Sequence, residues 1–244
     1  MTAVTVYPAI DLKDGACVRL RRSEMSEATV YAADPAAQAR AWAEAGFEWL
    51  HVVDLNGAFE GRSANAEAVS EILKAVDIPV QLGGGIRDMA GIERWLAAGV
   101  RRVILGSAAA KNPDLVREAC RRFPGRIVVG IDARDGFVAT EGWAETTSMR
   151  ALDLALAFEN AGVAAIVFTD ISRDGMLAGL NLEQTEDLAW ALTTPVIASG
   201  GVARVEDIVA VRARARAGIE GVIVGRALYD GRIGPEEALR AARG

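Results

Sequence analysis

The sequence is poor in the residue types that many enzymes use for covalent catalysis, redox chemistry and metal binding. Its 244 residues include one histidine, two cysteines and three lysines. Cys17 and Cys120 lie far apart and neither belongs to a C-x-x-C pair, which argues against a disulfide framework and a zinc site. The sequence also lacks a P-loop and a G-x-G-x-x-G turn, the usual signs of ATP or NAD dependence. We therefore predict a function that needs no cofactor and no metal.

Basic stripes and long apolar runs are also missing. The formal net charge is −6, whereas a nucleic acid or an anionic membrane is bound by a basic face. No apolar run is long enough to cross a bilayer, and the N-terminus carries no signal segment. We expect a monomeric, cytoplasmic protein that binds neither nucleic acids nor membranes.

The sequence does contain a regular alternation of β-rich and helical segments. The predicted strands are 4–10, 48–54, 80–82, 103–105, 127–131, 165–169, 196–198 and 222–224. The predicted helices between and after them include 35–45, 65–75, 89–98, 148–161, 182–191, 205–217 and 235–242. Eight βα units without a break in composition predict the α/β class, and their number and length favour a closed (β/α)₈ TIM barrel over an open sheet.

Short motifs recur in the two halves of the chain at similar offsets. Residues 9–15 match residues 130–136 at an offset of 121, and residues 83–86 match residues 199–202 at an offset of 116. A repeat of this size is too long for a solenoid, whose repeats are about 20–50 residues. We predict one domain built from two half-barrels, about 1–123 and 124–244.

Carboxylates follow several of the predicted strands, at the end of the barrel where such folds place their active sites. Asp11 ends an apolar strand, where burial can raise a carboxyl pKa, and we predict it as a catalytic base. Asp132 faces Asp11 across the barrel, and Asp174 lies in a glycine-containing loop that could close over a ligand. These two residues compete for one role. Asp170 is either a further functional group or a cap for its loop.

The remaining four strands end in glycines. Glycine lets backbone N–H groups approach an anion closely, and a helix that begins just afterwards adds its positive end. Two such sites predict two phosphates, whereas the alternative is that the glycines only make tight strand-to-helix turns. The candidate phosphate-binding residues are Gly84, Gly85, Gly106, Ser107, Ser199, Gly200, Gly201, Gly225 and Arg226.

Four other side chains each allow two interpretations. Arg19 and Arg87 lie near the predicted mouth, where they bind phosphate or form surface ion pairs. Trp143 follows the fifth strand, where it stacks on a flat ring or only pins its loop. His51 falls inside a strand, which favours a packed or hydrogen-bonded core histidine over a base.

Five motifs together point to a known family. They are PAIDLKDG at 8–15, HVVDL at 51–55, GGGIR at 83–87, TDISRDG at 169–175 and SGG at 199–201. The chain resembles, nearly end to end, the histidine-biosynthesis isomerases that act on phosphoribosylformimino-aminoimidazole carboxamide ribotide. The resemblance implies a barrel of two half-barrels, a bisphosphorylated small-molecule substrate, and an Amadori rearrangement of an aminoaldose to an aminoketose.

The resemblance also implies roles for single residues. Asp11 matches the family's base, and Asp132 matches its usual proton donor. Asp174 matches the competing donor, and Thr169 matches a residue that supports the reaction.

Two places depart from the family's pattern. Met176 stands where the family commonly has threonine, and Arg21-Arg22-Ser23 replaces a more usual glycine-containing stretch in the first loop. Both bear on loop closure and substrate contacts rather than on the reaction.

Two related activities and one silent alternative stay open. A bifunctional relative that also isomerises phosphoribosylanthranilate shares nearly all these motifs. The sister cyclase carries cysteine and lysine where this chain has Ala9 and Arg19, which makes it a poor match. A barrel that only binds a bisphosphate would have no need for Asp11, Asp132 and Asp174 together.

Overall fold

The computed structural model describes residues 2–21, 24–60, 64–140 and 145–244. Its strands are β1 (Thr5–Lys13), β2 (Ala16–Arg21), β3 (Glu24–Ala32), β4 (Leu50–Asp54), β5 (Val80–Gly83), β6 (Arg102–Leu105), β7 (Ile127–Arg134), β8 (Phe137–Thr140), β9 (Glu145–Arg150), β10 (Ala165–Asp170), β11 (Val196–Ser199) and β12 (Ile219–Val224). Its α-helices are α1 (Pro35–Glu44), α2 (Leu55–Glu60), α3 (Ala66–Ala75), α4 (Met89–Ala97), α5 (Ser107–Lys111), α6 (Pro113–Arg122), α7 (Ala151–Leu156), α8 (Leu182–Trp190), α9 (Val205–Ala213), α10 (Arg226–Tyr229) and α11 (Pro235–Arg243).

Eight parallel strands close into a ring. Their order is β1, β4, β5, β6, β7, β10, β11 and β12, and β12 pairs back onto β1. β1 and β7 therefore lie on opposite sides of the ring, four strands apart in either direction. Each predicted strand overlaps one of these eight, and the predicted (β/α)₈ barrel is confirmed.

Two hairpins interrupt the alternation, and the strand pattern did not predict them. β2 and β3 follow β1, and β8 and β9 follow β7, as antiparallel extensions. The connections between β1 and β2 and between β7 and β8 are the two-residue loops Asp14-Gly15 and Asp135-Gly136, all with positive φ. Positive φ at both positions is the type I′ turn, which matches the twist of the strands it joins.

The second hairpin also corrects one helix boundary. A helix was predicted over 148–161, but residues 148–150 belong to β9, whose Glu145 pairs with Thr140 of β8. Cross-strand pairing therefore overrides helical patterning there, and α7 begins only at Ala151. Similarly, the helix predicted over 205–217 ends at Ala213 and is followed by a 3₁₀ turn, Ala215–Ala217. Within the described residues, no helix is long and apolar enough to span a membrane.

The hydrophobic core has two layers. The larger layer lies between the barrel and its helices, and a smaller one fills the barrel itself. The inner layer consists of Tyr7, Ala9, Ile104, Val128, Ala165, Val167, Ile197 and Ile223. Glycine at position 221 makes room for Tyr7, because a Cβ there would lie 2.6 Å from the tyrosine ring. Four residues of this inner layer, Ala9, Ile104, Val167 and Ile223, also line an open cavity.

Matching hydrogen bonds recur in the two halves. Asp54 accepts a bond of 2.7 Å from the Asn65 side chain, and Asp170 accepts one of 2.8 Å from the Asn181 side chain. Each asparagine precedes a helix, α3 or α8, so each pair ties a strand end to the next helix. Both pairs are related by the offset of 116 seen in the sequence. The division into half-barrels near residue 123 stays a prediction.

Glu159 provides a test of how a surface loop contributes to stability. Its carboxylate accepts hydrogen bonds from the backbone N–H and hydroxyl of Thr193 and from the Thr194 hydroxyl. The bonds from Thr193, above all, lower the pKa of Glu159. A carboxyl whose folded-state pKa is lowered stabilises the fold above its unfolded pKa, and this contribution is lost as the pH falls through the folded value.

We expect Glu159→Gln to lower the urea midpoint at pH 7, with a gap to the wild type that closes on acidification towards pH 3. Glu118→Gln is the matched control, because Glu118 is exposed on α6 and makes no hydrogen bond or ion pair in the described residues. Urea unfolding at a series of pH values measures both variants. A gap that stays constant with pH would contradict the electrostatic account of Glu159.

Candidate functional site

An open cavity lies at the C-terminal ends of the barrel strands. It contains about 1280 Å³ of empty space, part of which opens to solvent. The last residues of β5 and β11, Gly83 and Ser199, line it, as does Val53, one residue before the end of β4. This is the end of the barrel at which (β/α)₈ enzymes carry their active sites.

Most of the predicted site residues line this one cavity. They are Asp11, Gly84, Gly85, Arg87, Gly106, Ser107, Asp132, Thr169, Asp174, Ser199, Gly200, Gly201, Gly225 and Arg226. The side chain of Arg19 and the whole of Trp143 lie outside the described residues, as do Arg22 and Ser23. The structure therefore brings 14 of the predicted residues together, while their roles stay predictions.

Three predicted catalytic carboxylates and the predicted supporting threonine are among the cavity-lining residues. Asp11 lies on β1 and Asp132 on the opposite strand, β7. Thr169 is the register partner of Asp132 on the neighbouring strand β10. Asp174 comes from the loop after β10, where its backbone N–H donates to the Asp170 carbonyl at 3.1 Å. A molecule in the cavity therefore meets acidic groups on two opposite sides.

Two other strand-end aspartates are absent from the cavity lining. Asp54 is 1% exposed and accepts a hydrogen bond from the backbone of Gly57, in addition to the bond from its asparagine. Asp170 is 7% exposed, and it accepts bonds from the Ser172 backbone and from Asn181. These bonds organise the loops that follow the strands. The capping interpretation of Asp170 agrees with this geometry.

His51 lies at the floor of the cavity, with 8% of its surface exposed. The side-chain nitrogen of Gln81, itself fully buried, lies 3.0 Å from Nδ1 of the ring. This distance is that of a hydrogen bond between the glutamine amide and the imidazole ring. The histidine is thus hydrogen-bonded inside the barrel, as the favoured interpretation of the sequence has it.

The paired glycines are required by backbone packing. Gly84 has φ of 101° and Gly200 has φ of 90°. A Cβ on Gly84 would lie 2.1 Å from the Asp54 carbonyl oxygen, and one on Gly200 would lie 2.7 Å from the Asp170 carbonyl oxygen. The tight-turn interpretation therefore accounts for their conformation. Because they also line the cavity, their backbones remain available to a ligand.

The other two strand ends lead into very short helices. Gly106 precedes α5, which has five residues, and Gly225 precedes α10, which has four. A helix of one turn adds up few peptide dipoles, so the positive helix end expected from the sequence is weak at these positions. Positive charge in the cavity comes instead from Arg87 after β5 and Arg226 after β12.

The lining thus divides into two similar groups around the ring. One follows β5 and β6 and contains Gly84, Gly85, Arg87, Gly106 and Ser107. The other follows β11 and β12 and contains Ser199, Gly200, Gly201, Gly225 and Arg226. Each group combines glycine backbone with one arginine. Such a combination suits a phosphate, since a guanidinium and backbone N–H groups both donate to its oxygens.

Neither cysteine offers a nucleophile. Burial, with a smaller contribution from the negative charge of Asp11, raises the pKa of Cys17 to about 12. Burial raises the pKa of Cys120 to about 11. Because the thiolate is the reactive form, both thiols are inert near neutral pH. In the described part of the chain, no three His, Cys, Asp or Glu side chains are grouped as a metal site.

A family model described as Histidine biosynthesis protein matches residues 5–234 of the chain. The chain belongs to this histidine biosynthesis family. The match spans all eight strands of the barrel and the short helix α10 that follows the last of them.

Named relatives of this family member are similar over their full length. A protein of Rhodospirillum centenum is 67% identical over 241 residues, 99% of this chain and 98% of the relative. One of Granulibacter bethesdensis is 68% identical over 97% of both chains. One of Rhodospirillum rubrum is 69% identical over 96% of this chain and 97% of the relative. All three are named 1-(5-phosphoribosyl)-5-((5-phosphoribosylamino)methylideneamino)imidazole-4-carboxamide isomerase.

Several cavity residues of this histidine biosynthesis protein were not predicted from the sequence. Ala9 and Val167 each line the cavity two residues before a predicted site residue, and Gly130 does so before Asp132. The sequence contained a signal for these residues, because side chains two positions apart on a strand point to the same face. Their small size leaves space at the centre of the barrel.

The packing of Gly84 generates a testable difference between two glycines. Gly84→Ala and Gly99→Ala both place a Cβ on a backbone with φ near 100–110°, a conformation that costs about 1–2 kcal/mol. Only the Cβ of Gly84→Ala would meet a backbone atom, since nothing lies within 4 Å of the Cβ position at Gly99. We expect Gly84→Ala to lose about 3 kcal/mol or more relative to Gly99→Ala in urea unfolding. Equal losses would show that the close approach to Asp54 does not limit this position.

Proposed function

We propose that the chain is a cofactor-independent isomerase that converts 1-(5-phosphoribosyl)-5-((5-phosphoribosylamino)methylideneamino)imidazole-4-carboxamide from an aminoaldose to an aminoketose. The name shared by the three relatives supplies the substrate. The observation that supports it most is the pairing of two glycine-and-arginine groups with carboxylates on opposite walls of one cavity. A substrate with two phosphoribosyl groups has one phosphate for each group and a reacting sugar between them.

In this proposal, the two groups hold the phosphates at the ends of the substrate. Arg87 serves one phosphate and Arg226 the other, and backbone N–H groups of the adjacent glycines complete each site. Both ends of the molecule are then fixed, so the reacting ribose stays near the carboxylates. Holding a substrate in a reactive geometry can lower the activation barrier by several kcal/mol, and by about 7 kcal/mol or more in the best cases.

The reaction itself consists of proton transfers. An acid protonates the ring oxygen of the ribose, and the ring opens to an imine. A base then removes the proton from C2′, and the resulting enolamine takes up a proton to give the ketose form. The substrate gains protons at the ring oxygen and at C1′, and it loses protons from C2′ and from the C2′ hydroxyl. Gains and losses are equal, so the overall reaction is an isomerisation and needs no external redox partner.

Asp11 is the proposed base, and Asp132 and Asp174 are the two candidates for the acid. Support for Asp11 comes from its position on β1 at the cavity wall. The two candidate acids lie on the other side of the ring, on β7 and in the loop after β10. Thr169 is proposed to assist, because it lies in register beside Asp132. The loop position of Asp174 is a second route for delivering a proton to the same sugar.

The alternative activities have less support. None of the three relatives' names mentions phosphoribosylanthranilate. We also propose that the protein acts as a monomer and that it acts in the cytoplasm. Nucleic acid is not proposed as a partner, given the net charge of −6.

The decisive experiment measures turnover of both candidate substrates without added metal or nucleotide. We expect the wild type to isomerise the imidazole carboxamide ribotide. Asp11→Asn and the variant of the true acid, either Asp132→Asn or Asp174→Asn, should lose about 10²–10⁴-fold in kcat, which is the usual contribution of one general acid or base. Turnover of phosphoribosylanthranilate would establish the bifunctional alternative.

Asp135→Asn is the matched control for these variants. It removes the same charge from an exposed position in the β7–β8 turn, where φ is 53° and asparagine is tolerated. We expect this variant to keep wild-type turnover. Bisphosphate binding by a wild type that turns over neither substrate would refute the enzymatic proposal and leave only a binding protein.

A further inference from the structure

Helix α10 and the residue after it connect three parts of the cavity mouth. Arg226, the first residue of α10, lines the cavity. Its Nε donates to Asp230 at 3.0 Å, and its Nη1 donates to the carbonyl oxygen of Gly175 at 2.9 Å. Gly175 directly follows Asp174 in the loop after β10. One guanidinium therefore contacts both its own segment and the loop that carries a proposed acid.

Asp230 is itself held from another direction. Its Oδ1 accepts a hydrogen bond of 2.7 Å from the hydroxyl of Tyr31, which lies on β3 of the first hairpin. The ring of Tyr31 also packs against Tyr229, with 5.1 Å between the ring centroids. The hydrogen bond from Tyr31, and next the interactions with Arg226, lower the pKa of Asp230. The carboxylate is therefore ionised at neutral pH and bridges a phenol and a guanidinium.

The two acceptors fix the orientation of the Arg226 guanidinium and thereby the position of its remaining donor, Nη2. Nε and Nη1 of Arg226 are both used by protein acceptors, whereas in the described residues Nη2 hydrogen bonds to no protein atom. A planar guanidinium held at two corners has its third nitrogen in a defined place. That nitrogen is then the donor available to an anion at the end of β12.

We propose that Asp230 and Tyr31 are positioning residues that hold Arg226 in an orientation where it binds a substrate phosphate and the Asp174 loop at the same time. The proposal rests on the proposed function for the identity of the phosphate and for the reaction. Binding at the end of β12 is thereby coupled to the position of Asp174. Tyr31 extends the same coupling to the first hairpin, which is distant in sequence.

A surface ion pair without function is the competing explanation. Arg226 and Asp230 are spaced i, i+4, with side chains 34% and 22% exposed, and such pairs add little to stability. An ion pair of that kind would leave the loop after β10 unaffected when it is broken. The backbone amides of this loop therefore distinguish the two explanations, since Asp174 and Met176 donate to the carbonyls of Asp170 and Arg173.

Hydrogen exchange followed by mass spectrometry on residues 172–177 tests the coupling directly. In the wild type we expect inorganic phosphate to slow exchange in this segment. In Asp230→Asn and in Tyr31→Phe, exchange without phosphate should rise about 5-fold or more, and the protection by phosphate should be lost. Tyr31→Phe keeps the ring that packs on Tyr229, so we expect this variant to fold.

The matched control is Glu186→Gln. It breaks the ion pair of Glu186 with Arg214, which has a length of 2.8 Å and side chains 33% and 35% exposed, and which involves no cavity-lining residue. This variant should show wild-type exchange in residues 172–177. Because Tyr31 acts through Asp230, the double variant should match Asp230→Asn alone, and additive effects would refute that order.

Steady-state kinetics complete the test. Asp230→Asn and Tyr31→Phe should lower kcat about 5-fold or more and raise the inhibition constant of inorganic phosphate, whereas Glu186→Gln should change neither. Unchanged exchange in residues 172–177 overturns the positioning role even if the isomerase activity stands. Conversely, a wild type without isomerase activity would refute the proposed function, and the exchange measurement would still decide whether Asp230 and Tyr31 position the loop.

Discussion

The cavity mouth depends on the close approach of backbone at the strand ends. The carbonyl oxygens of Asp54 and Asp170 occupy the places where side chains of Gly84 and Gly200 would begin. Each aspartate also binds the asparagine that precedes the next helix. Glycine on one strand and an aspartate on its neighbour therefore determine together how the connecting loops leave the barrel. The shape of the cavity follows from this contact, which occurs once in each half of the chain.

This arrangement separates structural carboxylates from those available for chemistry. Asp54 and Asp170 are absent from the cavity lining. Oδ1 of Asp54 and both carboxylate oxygens of Asp170 accept hydrogen bonds from backbone amides and asparagine side chains. The carboxylates that line the cavity come instead from strands β1 and β7, which continue into hairpins, and from the loop after β10. Aspartate thus occurs at this end of the barrel in two environments, outside the cavity lining and within it.

The architecture could be predicted because it depends on local patterns. Alternating β-rich and helical segments indicate a barrel, and strand ends in a barrel converge on one face whatever their distance in sequence. The hairpins were visible only as Asp14-Gly15 and Asp135-Gly136, because the strands that follow these turns have only six and four residues, too few to establish a period. The bond between Tyr31 and Asp230 joins residues 199 positions apart. No periodicity reports such a contact, because it depends on which surface loops meet after the barrel has closed.

The shortness of α5 and α10 has a consequence for anion binding at this mouth. A long helix presents a fixed positive end to a phosphate without any side chain, but a helix of four or five residues sums too few peptide dipoles to do so. The positive charge must then come from a flexible arginine, whose orientation is not set by its own backbone. For Arg226, that orientation is supplied by Asp230 at the end of its own short helix and by Gly175 on the loop after β10. In the proposed function, phosphate binding therefore depends on a side chain in place of a dipole, and we expect it to be sensitive to the loops around that side chain.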